Sequence, residues 1–396
     1  MGPELLALAA VFAALAMHPF VTYPATLALL RLLNGPRPLQ PDAFSADASA
    51  ALCVCAYNEG RIIRRKLANM LALHSDMPNL ELLLYVDGAT DGTTEIVREY
   101  ANRMRLFVSQ SRHGKTLGMN TLVAATNADF IVFSDANVMF ASDAIRRLLR
   151  PFADPTVGCV CGHLKYVGAG GSATAATGSA YWRLEETIKD LESRTGSTMG
   201  ADGSIFAIRR RLHHPPPPAI IDDMYVSLSI LCDGYRVVRI DDALAYEETV
   251  ASPSEEFRRK IRIGCQAFNV NRLLWRRLLH LPLLDVYKYA SHKLLRWFSG
   301  YLQVAALGTF VAGLAAIGAW RALAGFLLLG LAVALLGWFR PAGPFGRLLN
   351  IAAAFAATSL GVFSSLRGER FQTWTPPASA RVAEQPDAPA GLVRPD

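Results

Sequence analysis

Residues 130–140 run Phe-Ile-Val-Phe-Ser-Asp-Ala-Asn-Val-Met-Phe. Phe130, Ile131, Val132 and Phe133 form a short continuous apolar run cut off sharply by polar residues, the pattern of a strand buried on both faces. Ser134, Asp135, Ala136 and Asn137 follow at its C-terminal end. Open α/β sheets bind ligands outside the carboxyl ends of their strands. A carboxylate there, with a second oxygen ligand two residues on, suits an Mg2+ or Mn2+ that keeps several waters and grips substrate phosphates. A turn capped by Asp and Asn is the commoner use of such residues. The stretch therefore takes its weight from the rest of the chain.

Three strand-like runs precede it: Leu52 to Ala56, Leu80 to Val86 and Leu106 to Ser109. Helical patterns separate them. The first has an apolar face of Ile63, Leu67, Met70 and Leu71, with Asn58 as its expected N-cap. The second follows the turn Asp87-Gly88-Ala89-Thr90-Asp91-Gly92. The third, Gly114 to Asn127, follows the basic turn Arg112-His113-Gly114-Lys115. This alternation predicts a largely parallel sheet with helices on both faces. Beyond Arg150 the expected order is a strand at 157–167, a small-residue loop at 168–178 and a helix at 181–193. Next come the turn Gly200-Ala201-Asp202-Gly203, a strand at 204–208 and a polyproline loop. Ile221-Asp222-Asp223-Met224 then opens a helix, and a strand is expected at 235–240. Ser252-Pro253-Ser254-Glu255 has the form of a capping box and would start the basic helix 257–279.

The hydrophobic excess, 52% of 396 residues, is concentrated at the two ends. Residues 5–30 lack Asp, Glu, Lys and Arg, and roughly 20 apolar residues suffice to cross a bilayer. No basic segment precedes them, which weighs against a cleaved signal peptide. Uncharged runs at 297–320, 322–339 and 348–366 read as three further spans, with 281–298 as an interfacial amphipathic helix. Arg31 with Arg37, and Arg340 with Arg347, place the 51–280 domain in the cytoplasm and both termini outside. A Pro/Ala-rich linker (36–50) and a loose tail (367–396) flank these parts. The net charge of +7 is that of a membrane protein with cytoplasmic basic flanks. No nucleic-acid reading motif accompanies it, so nucleic acid is not an expected partner. Six cysteines, four of them in the pairs Cys53/Cys55 and Cys159/Cys161, lack the C-x-x-C spacing of a metal site and read as buried strand thiols in a reducing compartment.

No G-x-G-x-x-G or G-x-x-x-x-G-K-[ST] occurs, which excludes the common dinucleotide and P-loop sites. The acidic groups at Asp87/Asp91 and Asp135/Asn137 follow two strands of one sheet and can converge on one ligand. Asp222-Asp223 is a further acidic pair, at a helix start where N-capping is the plainer role. Arg258, Arg259 and Arg262 share a helix face and suit phosphate oxygens, either of a substrate or of lipid headgroups.

In this order the motifs resemble the membrane-integrated glycosyltransferases of family 2, the group of chitin-oligosaccharide, hyaluronan, cellulose and poly-N-acetylglucosamine synthases. Cys55-Ala56-Tyr57-Asn58-Glu59 is similar to the family's P-A-Y-N-E, and residues 86–93 to its D-D-G-S-T-D-G-T. Gly114-Lys115 through Asn120 is similar to G-K-x-x-A-L-N. Ser134-Asp135-Ala136-Asn137 stands at D-x-D, Ile221-Asp222-Asp223 at T-E-D, and Arg259 to Arg262 at Q-x-x-R-W. Each motif is weak alone; six in order over residues 50–275 are not expected by chance.

The resemblance implies a GT-A-type nucleotide-binding mixed sheet and inverting sugar transfer from a UDP-sugar to a polysaccharide or lipid acceptor. Ala56, Tyr57, Glu59, Asp87, Lys115 and Asp135 would bind the donor nucleotide. Asp135 and Asn137 would hold Mg2+ or Mn2+, and Arg259 and Arg262 the departing diphosphate. Asp223 would be the general base. Gly200, Ala201, Asp202, Gly203 and Asp222 would line the acceptor pocket. Val86 stands in place of the first Asp of D-D, and Asn137 in place of the last Asp of D-x-D, without its charge. Ile263 stands where the Trp of Q-x-x-R-W would be, which leaves processivity open. A catalytically inactive nucleotide-sugar-binding scaffold is the alternative from another class, and a transporter a weaker one.

Overall fold

The computed structural model describes residues 1–35, 48–167, 173–248 and 253–373. The linker 36–47, Ser252 of the expected capping box and the tail from 374 lie outside them.

The centre is one eight-stranded sheet: β1 Ala50–Ala56, β2 Leu80–Asp87, β3 Arg105–Ser109, β4 Phe130–Asp135, β5 Val138–Phe140, β6 Val157–Val167, β7 Ile205–Arg209 and β8 Arg236–Glu248. Their order is β3-β2-β1-β4-β7-β6-β8-β5. The first four run parallel, as the alternation of strands and helices requires. β7 runs antiparallel to β4 and β6, and β5 antiparallel to β8, so the sheet is mixed. The cause lies in the connection. The helix Ala173–Arg194 returns the chain to the carboxyl end of β4, and β7 begins there, with Ile205 opposite Ser134.

Side chains alternate between two cores. Cys53, Cys55, Leu83 and Tyr85 pack with the helix Lys115–Ala124 on one face. Leu52, Val54, Leu82 and Leu84 pack with the helix Ile63–Asp76 on the other. Period-2 alternation on a fully covered sheet gives apolar runs instead of polar/apolar alternation, which is why β1 and β4 stand out in the sequence. β2 and β3 lie to one side of β1 and β4 to the other, so the strand order reverses between β1 and β4 and leaves a crevice at their carboxyl ends.

Several elements depart from expectation. Asn58 is not a helix cap. It adopts φ +53, and its Oδ1 accepts the N–H of Thr90 at 2.8 Å; the helix begins at Ile63. β8 continues through Asp241 and Asp242 to Glu248. The helix expected at 181–193 already begins at Ala173, within what was expected to be loop. Residues 168–172 are not described. The N-terminal apolar run is two helices, Gly2–Met17 and Thr22–Asn34, bent by 59° around His18-Pro19-Phe20-Val21, where Pro19 lacks the N–H to continue the ladder.

Among the described residues three helices are long and apolar enough to cross a membrane: Leu283–Ala316, Trp320–Phe339 and Pro344–Leu366. The segment expected as a separate interfacial helix is continuous with the first of these through a π-helical turn, Ala290–Leu294. That turn faces a buried polar junction. His292 bridges Glu192 (2.8 Å) and Glu185 (3.0 Å), and Tyr23 of the N-terminal pair donates to Glu192 at 2.5 Å. The apolar segments are thereby locked to the helix that follows β6. The helix Pro253–Leu278 lies directly on Pro344–Leu366 at Gly264 and Gly361; a Cβ on Gly361 would meet the Ile261 carbonyl oxygen at 2.5 Å, the close backbone approach that small residues permit.

Candidate active site

β1 and β4 end side by side, Cys55 beside Asp135. Ala56 is the last residue of β1 and is buried. The chain then turns through Tyr57, Asn58 and Glu59, and hydrogen bonds tie this turn to the one after β2. Besides the Asn58–Thr90 bond, the Glu59 N–H donates to Thr93 Oγ1 (2.9 Å) and the Gly60 N–H to Asp91 Oδ2 (2.9 Å). Asp91 therefore shapes the turn. Asp87, the last residue of β2, accepts the N–H of His113 on Oδ1 and of Gly114 on Oδ2, both at 2.8 Å. It fixes the basic turn against the crevice.

That fixation brings in a residue the motifs did not mark. The Arg112 guanidinium lies 3.7 Å from the centre of the Tyr57 ring. Its Nε and Nη2 are buried without hydrogen-bond partners, although a buried donor ordinarily has one. In the sequence Arg112 is one member of a basic turn; only the fold sets it on Tyr57.

Lys115 is the electrostatic centre. Its Nζ lies 2.7 Å from Asp135 Oδ1 and 3.5 Å from Asp222 Oδ2. Burial lowers its ammonium, but Asp135, Asp222 and Asp223 outweigh that and hold it charged well above the usual lysine value. One side chain thus joins Asp135 to the acidic pair.

Asp222 and Asp223 open the helix Asp222–Cys232. Burial, then the neighbouring Asp222 carboxylate, push the Asp223 carboxyl far above the usual carboxylate range, with Lys115 pulling the other way. Its Oδ1 accepts the N–H of Met224 at 2.5 Å. The turn Gly200–Gly203 approaches closely: a Cβ on Gly203 would sit 2.5 Å from Asp223 Oδ2. Gly200 holds φ +118 beside Lys293 and Met224. The Ala201 N–H donates to Ser227 Oγ (2.9 Å), and Asp202 lies 3.4 Å from Lys189 Nζ. Gly203→Ala must displace the Asp223 carboxylate, so turnover is expected to fall at least tenfold while donor affinity stays within a few-fold. Steady-state kinetics beside nucleotide titration checks this, and unchanged kcat would show that the close approach is idle.

Arg259 and Arg262 face the site. Arg262 is lowered to about 10 by burial and by Arg259, with Asp135 opposing. Burial also acts on Arg259, but Glu256, Tyr166, Glu247 and Asp135 more than compensate. Arg258 is exposed and donates to Ser254 O at 3.5 Å. The segment after Leu366, expected as loose tail, packs across the site as far as it is described. Gln266 Nε2 donates to Phe371 O (2.7 Å) and Gln372 Nε2 to His113 O (3.1 Å). Gly114, at φ +94, leaves room for the Gln372 carbonyl, which a Cβ there would strike.

Among the described residues no group of three or more His, Cys, Asp or Glu could hold a metal. Asp135, whose side chain is 34% exposed, and Asn137 offer hard oxygens on one turn. The Asn137 amide nitrogen donates to Glu247 Oε1 at 2.9 Å, which leaves the amide oxygen as the group that can accept. This donor set fits Mg2+ or Mn2+ with retained waters and phosphate ligands. Burial pushes the Glu247 carboxyl up to about 7, with Arg259 pulling it down and Asp135 raising it.

Residues 51–214 match the family described as Glycosyl transferase family 2. Over 92% of this chain and 100% of the other, the fold matches a mannosyltransferase from Pyrobaculum calidifontis, solved with GDP-Man and Mn2+, at a TM-score of 0.73 and 21% identity. This shows a GT-A-type fold. The O-antigen chain rhamnosyltransferase RfbN of Salmonella typhimurium is 28% identical over 46% of this chain and 62% of its own length. An N-acetylglucosaminyltransferase of Rhizobium sp. is 23% identical over 63% of this chain and 59% of its own. The chain thus spans about three fifths of the length of these two relatives.

Proposed function

We propose that this chain, whose residues 51–214 form a glycosyl transferase family 2 domain, is a membrane-bound inverting glycosyltransferase. It moves a sugar from a nucleoside diphosphate sugar, UDP-linked by its motifs, to a hydroxyl of a polysaccharide or lipid-linked acceptor. The observation that carries this reading is the line of groups Asp135–Lys115–Asp222/Asp223 across the end of the sheet. It joins a phosphate-side carboxylate to a candidate base through one buried ammonium.

In this reading the nucleobase lies against Tyr57 and Arg112, whose unpartnered donors meet carbonyl or phosphate oxygens. Asp135 and Asn137 hold a divalent cation, which when bound neutralises charge on the diphosphate. Asp223 takes the proton of the attacking hydroxyl, and Lys115 keeps the acidic pair compatible with that charge. Arg259 and Arg262 stabilise the departing diphosphate. The apolar helices hold the domain at the cytoplasmic face, where the acceptor arrives in or at the bilayer.

Arg112→Ala removes the ring contact and the waiting donors together, and about a tenfold loss of nucleotide affinity is expected, equivalent to about 1.4 kcal/mol. Titrating purified protein in detergent with UDP and with GDP, wild type beside variant, tests the donor site and its base preference. Failure of both nucleotides to bind the wild type would remove the donor reading.

A further inference from the structure

Asn137 carries no charge where the family pattern has a carboxylate. The fold places one there from another strand. Glu247 in β8 stands opposite Val138 of β5 in the ladder that follows the Asp135–Asn137 turn. Its Oε1 accepts the Asn137 amide N–H at 2.9 Å, across 110 residues of sequence. Its neighbour Glu248 points away and pairs with Arg65 on the surface. Glu247 is half-buried, and among the described residues no Lys, Arg or His nitrogen lies within ion-pair distance of it. Arg259 acts on it only from beyond that distance, and a half-buried carboxylate without a direct cationic partner is costly to keep. Glutamate is also a poor strand former, so local preference does not account for it.

We propose that Glu247 supplies the charge Asn137 lacks, completing with Asp135 and the Asn137 amide oxygen the divalent-cation site at the end of β4. The carboxylate usually found within one turn is here divided between β8 and an orienting hydrogen bond. The inference rests on the donor-binding reading above, and the two fail differently.

The test is Mn2+ binding to the full-length protein in detergent, with and without UDP or GDP, followed by electron paramagnetic resonance. Glu247→Gln keeps an oxygen that can accept from Asn137 and removes only the charge. It is expected to weaken Mn2+ binding about tenfold or more, with thermal stability nearly unchanged. Asn137→Asp combined with Glu247→Gln moves the charge back to position 137 while the Gln amide can donate to the new carboxylate. This pair is expected to bind Mn2+ within a few-fold of wild type. Binding by Glu247→Gln within twofold of wild type, or a double variant no tighter than Glu247→Gln, would overturn the proposal. Absence of Mn2+ binding by the wild type with either nucleotide would instead remove the metal-dependent reading on which it rests.

Discussion

Asp223→Asn is expected to lower kcat by on the order of 10² to 10⁴ while leaving nucleotide affinity within a few-fold. A hydroxyl is a poor nucleophile near neutral pH, and a positioned carboxylate takes its proton as the new bond forms. Asp223 stands at the head of a helix with Gly203 against its Oδ2. Burial and Asp222 raise its carboxyl, which makes it a stronger base than an ordinary aspartate. The sign for pH follows. A base must be ionised, so kcat should fall as pH drops through the raised value of Asp223, at a pH above the ordinary carboxylate range. Asp222→Asn removes the neighbouring charge and is expected to keep measurable turnover with that limb shifted to lower pH. Simple N-capping by Asp223 predicts another result, about 1 kcal/mol of stability lost and turnover little changed. Melting temperature, nucleotide affinity and kcat on both variants separate the two.

EDTA is expected to abolish turnover, and Mn2+ or Mg2+ to restore it. Asp135→Ala should lose at least 10² in kcat with a native melting curve. Asp135 stands at the open end of β4, partly exposed, so its removal leaves both cores intact. It also deprives Lys115 of its nearest partner, leaving Asp222 at 3.5 Å. Full turnover in EDTA would refute the metal requirement.

The half of the sheet that ends in the crevice between β1 and β4 is readable because β1, β2 and β4 are covered on both faces and show as unbroken apolar runs. The other half is not. Asp241-Asp242 looks like a turn, but β8 passes through it, with Ala243 and Ala245 buried and the acids meeting Arg239 and Arg147. That concealed extension is what brings Glu247 to Asn137. Both caps and left-handed turns favour asparagine, so at Asn58 only its bond to the Thr90 N–H decides. Arg112 was equally hidden, since its place over Tyr57 depends on Asp87 anchoring a turn 26 residues away. The long apolar ends are legible as membrane candidates, while the π-turn at 290–294, whose His292 bridges Glu192 and Glu185, is not.

Sugar transfer, as opposed to mere nucleotide-sugar binding, is tested by nucleoside diphosphate release from the purified full-length protein in detergent, across several UDP- and GDP-sugars, with a membrane lipid extract or oligosaccharides as acceptor. At least one donor is expected to yield release stimulated by acceptor, dependent on Mn2+ or Mg2+, and abolished in Asp223→Asn. Donors that bind with no release under any acceptor would contradict it and leave a nucleotide-sugar-binding scaffold.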